Sequence, residues 1–219
     1  QITVIPLAAN DCFTVCYDKS KIENVLKKYH VINDSKYIFS VASIDTRKNV
    51  DLVLRAFDLL LNPKDSFGWQ VPENLYLVLA GLDNGKDLNA LHVFKNMPES
   101  TRQRIIFTGY VDDIDLPFLY NGARCFCFMS LYEGFGLPVL EAMQCGVPVI
   151  TSNTSSLPEV VGNAGIMLDP HDVEGLANAF MRVVSDENLR NEMTAKGLEQ
   201  AKKFSWERCT DLIVEKIIN

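Results

Sequence analysis

A chain of 219 residues builds one large domain or two small ones, and 47% hydrophobic with 22% charged residues is an ordinary globular composition. Its formal net charge of -7 excludes a general nucleic-acid binder, which needs clustered Lys and Arg to neutralise phosphate. No apolar run approaches the roughly 20 residues that span a bilayer.

The first strong strand pattern is KYIFSVAS (36–43), followed by the helical pattern NVDLVLRAFDLLL, in which Leu52, Phe57 and Leu60 recur at helical spacing. NPKDSFGWQVPEN (62–74) reads as a loop, with Pro63, Gly68 and Pro72 as breakers. NLYLVLAG (74–81) is the next strand and KDLNALHVFKNM the next helix. RIIFTGY (104–110), the helix DDIDLPFLYNGA and the strand RCFCFMS follow. The bend EGFG then feeds a helix whose Val139, Leu140 and Met143 face inward and whose stop signal is Gly146. In that bend, Gly134 and Gly136 supply backbone freedom. VPVITS (147–152) and AGIMLD (164–169) are short strands, and from Asp172 the chain reads as helical almost to its end.

Strands apolar on both faces, each followed by a helix, predict a parallel sheet covered on both sides, a Rossmann-like doubly wound α/β domain. The six cysteines (Cys12, Cys16, Cys125, Cys127, Cys145 and Cys209) include no Cys-x-x-Cys pair, and the histidines show no metal-ligand spacing. Cys125 and Cys127 alternate within an apolar run, as buried reduced thiols do. A cytoplasmic setting is expected over a disulfide framework.

Ligands of doubly wound sheets bind where strands end and loops lead into helices. SIDTRKN places Arg47 and Lys48 just before a helix start at Asn49. AGLDNGKD brackets a polar bend between Gly81 and Gly85, and LYEGFG precedes the helix with the free amides of its first turn. Cations from one loop and helix amides from another suit a diphosphate. An adjacent Arg-Lys pair also suits a solvated surface. A dinucleotide-linked oxidoreductase would need Gly-x-Gly-x-x-Gly after a strand, which neither GLDNG nor GFGLP supplies.

EGFGLPVLE sets Glu133 and Glu141 with seven residues between them and resembles the Glu-x7-Glu motif of retaining GT-B glycosyltransferases of family 4, glycosyl transferases group 1. SVASIDTRKNVDLVLRAF, LYLVLAG, RIIFTGYVDDIDLPFLYNGA and the long run from MSLYEGFG to GLANAF are similar to that family in the family's order. The resemblance implies one half of a GT-B fold, with residues 1–35 as an interdomain lead-in and 36–219 as the nucleotide-sugar (donor) domain. An N-terminal acceptor domain is expected outside this sequence.

The resemblance also assigns roles. Glu133 matches the carboxylate beside the donor sugar, and Glu141 the one that holds the ribose. Both tasks suit ionised groups that only accept hydrogen bonds. The amides of Phe135, Gly136 and Leu137 are expected to face sugar and phosphate. Arg47 and Lys48 match the basic pair that neutralises the departing diphosphate without a metal or other cofactor. Many members carry Gly-Arg after the first strand where this chain reads Ala42-Ser43; here the arginine instead precedes the lysine directly. Lesser donor contacts fall on Ser130, Gly81, Asp83, Tyr110 and Val111, which ordinary turn and core packing would explain as well. VDD at 111–113 resembles a helix cap. The TRKN variant resembles mannosyl-transferring members of bacterial surface-polysaccharide synthesis. It makes GDP-mannose the first choice of donor, with a UDP-sugar as the alternative, and a glycan or lipid-linked glycan the acceptor. Any contact with the inner face of the cytoplasmic membrane is expected through the other half.

Overall fold

The structure, a computed structural model, describes residues 4–41, 45–63, 68–81 and 88–218, without the side chains of 88–91 and 217–218. Ala42, Ser43, Asp83 and Gly85 lie outside the described residues. Its strands are β1 (Lys36–Val41), β2 (Leu75–Ala80), β3 (Ile105–Gly109), β4 (Cys125–Phe128), β5 (Val149–Ser152) and β6 (Ile166–Leu168). All are parallel, in the order β3-β2-β1-β4-β5-β6. Growth of the sheet reverses between β1 and β4, which pair with Ile38 opposite Cys125 and Phe39 opposite Phe126. Such a reversal opens a crevice at the carboxyl ends of the two strands. The loops leaving β1 and β4 are the ones that carry Arg47-Lys48 and EGFG.

The helices are α1 (Lys19–Lys28), α2 (Val50–Leu61), α3 (Leu88–Lys95), α4 (Glu99–Arg102), α5 (Leu116–Gly122), α6 (Leu137–Gln144), α7 (Leu157–Val161), α8 (Val173–Ser185), α9 (Glu187–Ala201) and α10 (Trp206–Ile218). Because side chains alternate along a strand, each strand feeds two cores. Ile38, Cys125, Cys127 and Ile150 pack with Leu54 and Phe57 of α2 and Phe180 of α8. Tyr37, Phe39, Phe126, Phe128 and Val149 pack with Tyr120 of α5, Leu140 of α6 and Leu157 of α7. The expected doubly wound sheet is what forms. Cys125 and Cys127 are buried within it, and all six thiols are free.

The segment before β1 supplies Phe13, Tyr29 and Val31 to the second core. It also supplies α1, whose cap Asp18 accepts from the Lys21 amide at 3.2 Å. Two details differ from expectation. Residues 111–113 do not cap α5: the cap position is Asp115, while the Asp112 carbonyl accepts from the Asp115 amide at 2.8 Å to form a turn. The Asp112 side chain is taken by Lys28 at 2.8 Å. The C-terminal helical run also breaks at 202–205, where Phe204 turns in to meet Phe135 edge-on at 5.8 Å. Ser205 Oγ restarts it by accepting from the Arg208 amide at 3.1 Å.

Candidate functional site

The loop after β1 closes as one 3-10 turn, Thr46–Lys48, capped by Asp45, which accepts from the Arg47 amide at 2.9 Å. Asn49 stands at φ 53°, a left-handed conformation that asparagine tolerates better than most residues. Its side chain donates to the Met129 carbonyl at 3.1 Å and the Pro170 carbonyl at 2.7 Å, tying this loop to the ends of β4 and β6. The Leu131 amide donates back to the Arg47 carbonyl at 2.7 Å. The two loops at the switch point are thus one hydrogen-bonded unit.

Within it, Lys48 Nζ lies 2.7 Å from Glu133 Oε1 and 4.7 Å from the centre of the Phe128 ring. Both charged side chains are largely covered, at 22% and 15% exposed, so this pair is less screened than a surface pair. Ser130, fully buried at the end of β4, donates to the same oxygen at 2.6 Å. Glu133 Oε1 therefore carries a cation and a hydroxyl, while Oε2 has no hydrogen bond among the described residues. That oxygen is free to accept from a ligand hydroxyl.

Past Glu133 the chain turns into α6 through Gly136, at φ 107°. A Cβ there would also lie 2.7 Å from Leu157 Cδ2, so glycine is required twice over. Gly134 has no positive φ and open space around its Cα, contrary to the expectation that both glycines serve the turn; one glycine suffices to redirect the chain. Pro138 fits the first helical turn, where its missing N–H costs nothing. Among the described residues the amides of Phe135, Gly136 and Leu137 donate to no acceptor, leaving the positive end of α6 open.

Glu141 sits one turn farther along α6 and receives the Tyr120 hydroxyl at 3.0 Å. Burial raises its pKa, the Tyr120 hydrogen bond opposes that shift, and Asp113 adds to it. The carboxylate is held beside α5 and not at the helix start.

The expected basic pair separates. Arg47 is 61% exposed and turned onto Asp45, with Nε 2.7 Å from its carboxylate, so of the two cations only Lys48 meets Glu133. The guanidinium holds the Asp45 pKa down at about 2. Gly81, at φ 89°, ends β2 by donating its amide to the Gly109 carbonyl at 2.7 Å. Tyr110 is exposed, whereas the Val111 side chain is packed in the second core. The structure thus brings Lys48, Ser130 and Glu133 into contact and leaves Gly81 and Tyr110 at the β2–β3 side.

Several residues of the site carried no sequence signal. Asp45 and Asn49 read as loop and helix start, Phe128 and Tyr120 as core. The hydroxyls of Ser155 and Ser156, which bond the backbone of Glu133, read as an ordinary turn. Only Asp45 had a recoverable cue, as a capping residue ahead of a short helical turn.

Residues 21–200 match the family described as glycosyl transferases group 1. The chain belongs to that family. This glycosyltransferase domain is 43% identical over 187 residues to O-antigen chain mannosyltransferase B of Escherichia coli, covering 85% of the chain and 46% of that protein. It is 36% identical to the serotype-specific mannosyltransferase WbdA of Escherichia coli, covering 98% of the chain and 25% of that protein. The domain therefore spans half or less of the length of these two curated relatives. Among solved structures, Anabaena Alr3699/HepE, determined with UDP and glucose, superposes with a TM-score of 0.81 at 20% identity, over 99% of this chain and 56% of that one. The C-terminal domain of the group 1 protein LpcC from Francisella tularensis gives 0.70 at 20% identity, over 90% of this chain and 97% of that one. The fold is one Rossmann-like half of the GT-B architecture. Among the described residues, no helix is long and apolar enough to cross a membrane.

Proposed function

We propose that this domain binds the nucleoside-diphosphate sugar of a retaining, metal-independent glycosyltransferase of family 4. The observation that carries the reading is the Lys48–Glu133 pair, at 2.7 Å, on the loop that runs directly into the unpaired amides before α6. A diphosphate finds there a partly buried cation and a helix N-terminus. A sugar next to it finds Glu133 Oε2, and a ribose finds Glu141. Lys48 stabilises the charge that grows on the departing phosphate. The bond from the anomeric carbon to the diphosphate oxygen breaks, and the acceptor oxygen bonds that carbon on the same face. The acceptor proton passes to the leaving phosphate. Mannose carried by GDP is the first choice, supported by the two mannosyltransferase relatives, with a UDP-sugar as the alternative. The acceptor is a surface glycan or lipid-linked glycan held by an N-terminal domain, working in the cytoplasm at the inner face of the membrane.

Calorimetric titration of GDP, UDP, ADP and their sugars, with and without magnesium, tests this. One nucleoside diphosphate should bind without metal. A requirement for magnesium, or no binding at millimolar concentration, overturns the reading.

The chain covers 46% of mannosyltransferase B, which favours a second statement: on its own the domain is a donor-binding module. Holding donor and acceptor together supplies roughly 7–11 kcal/mol of a barrier. The isolated chain should transfer sugar negligibly, and the same domain joined to an N-terminal half should be active.

A further inference from the structure

The turn after β5 is made of hydroxyls, and they converge on the backbone of the loop after β4. Ser152 Oγ and Thr154 Oγ1 both reach the Ser130 carbonyl, the latter at 3.2 Å. Ser155 Oγ accepts from the Glu133 amide at 2.9 Å. Ser156 Oγ lies 3.0 Å from the Glu133 carbonyl and 2.8 Å from that of Phe135, sharing one proton between them. Both backbone polar groups of Glu133 are therefore held by neighbouring serines of another loop. Ser155 does this at φ 50°, a left-handed conformation in which glycine is the unstrained choice. What a serine adds over a glycine at that position is the oxygen that receives the Glu133 N–H. Ser156 heads α7 without using its side chain as a helix cap, so its hydroxyl serves the facing loop.

We propose that Ser155 and Ser156 are positioning residues for the sugar end of the donor site. With the backbone of Glu133 and Phe135 fixed, Oε1 meets Ser130 and Lys48, Oε2 points free, and the amides before α6 keep their aim. Without the two serines the loop stays fastened to the β5 side only at the Ser130 carbonyl, and Glu133 itself is held only through its side chain. The inference rests on the reading that Glu133 touches the sugar.

The test compares GDP with GDP-mannose, and UDP with UDP-glucose, by calorimetry on the full chain, alongside melting temperature. The variants are Ser155→Gly, Ser156→Ala, Ser156→Thr and Glu133→Ala. Ser155→Gly should melt at or above the parent temperature, since glycine relieves the left-handed φ. It should nonetheless weaken the sugar nucleotide relative to the diphosphate by about two- to tenfold, the range of one lost hydrogen bond. Ser156→Ala should act in the same direction, and Ser156→Thr, which keeps the hydroxyl, should restore the parent ratio. A purely structural role predicts a lower melting temperature and equal losses for both ligands, and that result overturns the proposal. If Glu133→Ala shifts the ratio and the serine variants do not, positioning by the serines is refuted while the sugar contact stands. If Glu133→Ala leaves the ratio unchanged, the reading of Glu133 fails and the inference with it.

Discussion

Tyr120 and Glu141 join α5 to α6 through a single hydrogen bond of 3.0 Å, from a phenol with no exposed surface to a half-buried carboxylate. The Tyr120 ring is fixed edge-on by Phe39 at 5.1 Å and Phe126 at 5.0 Å. The carboxylate is thereby aimed by a rigid donor. Burial raises the Glu141 pKa, and Tyr120 is what restrains the rise.

The sign of the resulting pH effect follows from linkage. With its folded pKa raised above the unfolded value, Glu141 contributes stability that is full below the unfolded pKa and is lost as pH rises through the folded one. Thermal melts across that window should show the loss in the parent and not in Glu141→Gln. Tyr120→Phe keeps the ring and removes the bond, at a cost of about 1–3 kcal/mol, and should widen the window upward. An unchanged pH profile in Glu141→Gln would assign the dependence to other groups.

Separate tasks for the two motif glutamates predict separate binding defects. Glu141→Ala should weaken nucleoside diphosphate and nucleotide sugar alike, by roughly 1.5–3 kcal/mol. Glu133→Ala should leave the diphosphate nearly intact and damage the sugar nucleotide. Lys48→Ala should weaken every ligand that carries the diphosphate and barely affect the free nucleoside. Affinities of the three variants for nucleoside, diphosphate and sugar nucleotide decide it; a change in melting temperature alone would return the carboxylates to the fold.

Asp45 engages the Arg47 guanidinium on the exposed side of the loop, away from Glu133. Asp45→Asn keeps a carbonyl oxygen to cap the 3-10 turn and removes the charge that claims the guanidinium. Diphosphate affinity should rise, by less than about tenfold because the pair is solvent-screened, with a steeper loss on adding salt. No gain in calorimetry would mean that Arg47 cannot reach the ligand.

The two glycines of the bend should respond differently. Gly136→Ala meets both an unfavourable φ of 107° and Leu157 Cδ2 at 2.7 Å, and should cost about 1–3 kcal/mol of stability. Gly134→Ala meets nothing within 4 Å and should change stability by less than about 0.5 kcal/mol. Any loss of sugar-nucleotide affinity in Gly134→Ala would then come from the ligand side. Melting curves and calorimetry of both variants check this pair.

Strand identity, the two-sided burial of the sheet and the place of α6 were legible in the sequence. Continuous apolar runs such as YIF and CFCF have few outlets other than a strand covered on both faces, and Gly136-Leu137-Pro138 marks a helix start locally. α1 was not read in the sequence: it is a largely polar helix with no fully buried residue, and only Val25 and Leu26 pack against the second core. The split of α9 from α10 was missed because Phe204 leaves the helix to meet Phe135, a partner far away in sequence. The same distinction holds at the site. The family resemblance singled out Glu133, Glu141, Arg47 and Lys48 as the expected site residues. Their partners depended on strand order: β4 lies between β1 and β5, which lets Lys48 reach Glu133 from one side and Ser155 and Ser156 from the other. Arg47 beside Lys48 in sequence gives no hint that the nearer Asp45 would claim it. Lys48, Ser155 and Ser156 lie 22 to 85 positions from Glu133 in the chain, a separation that local propensity does not encode.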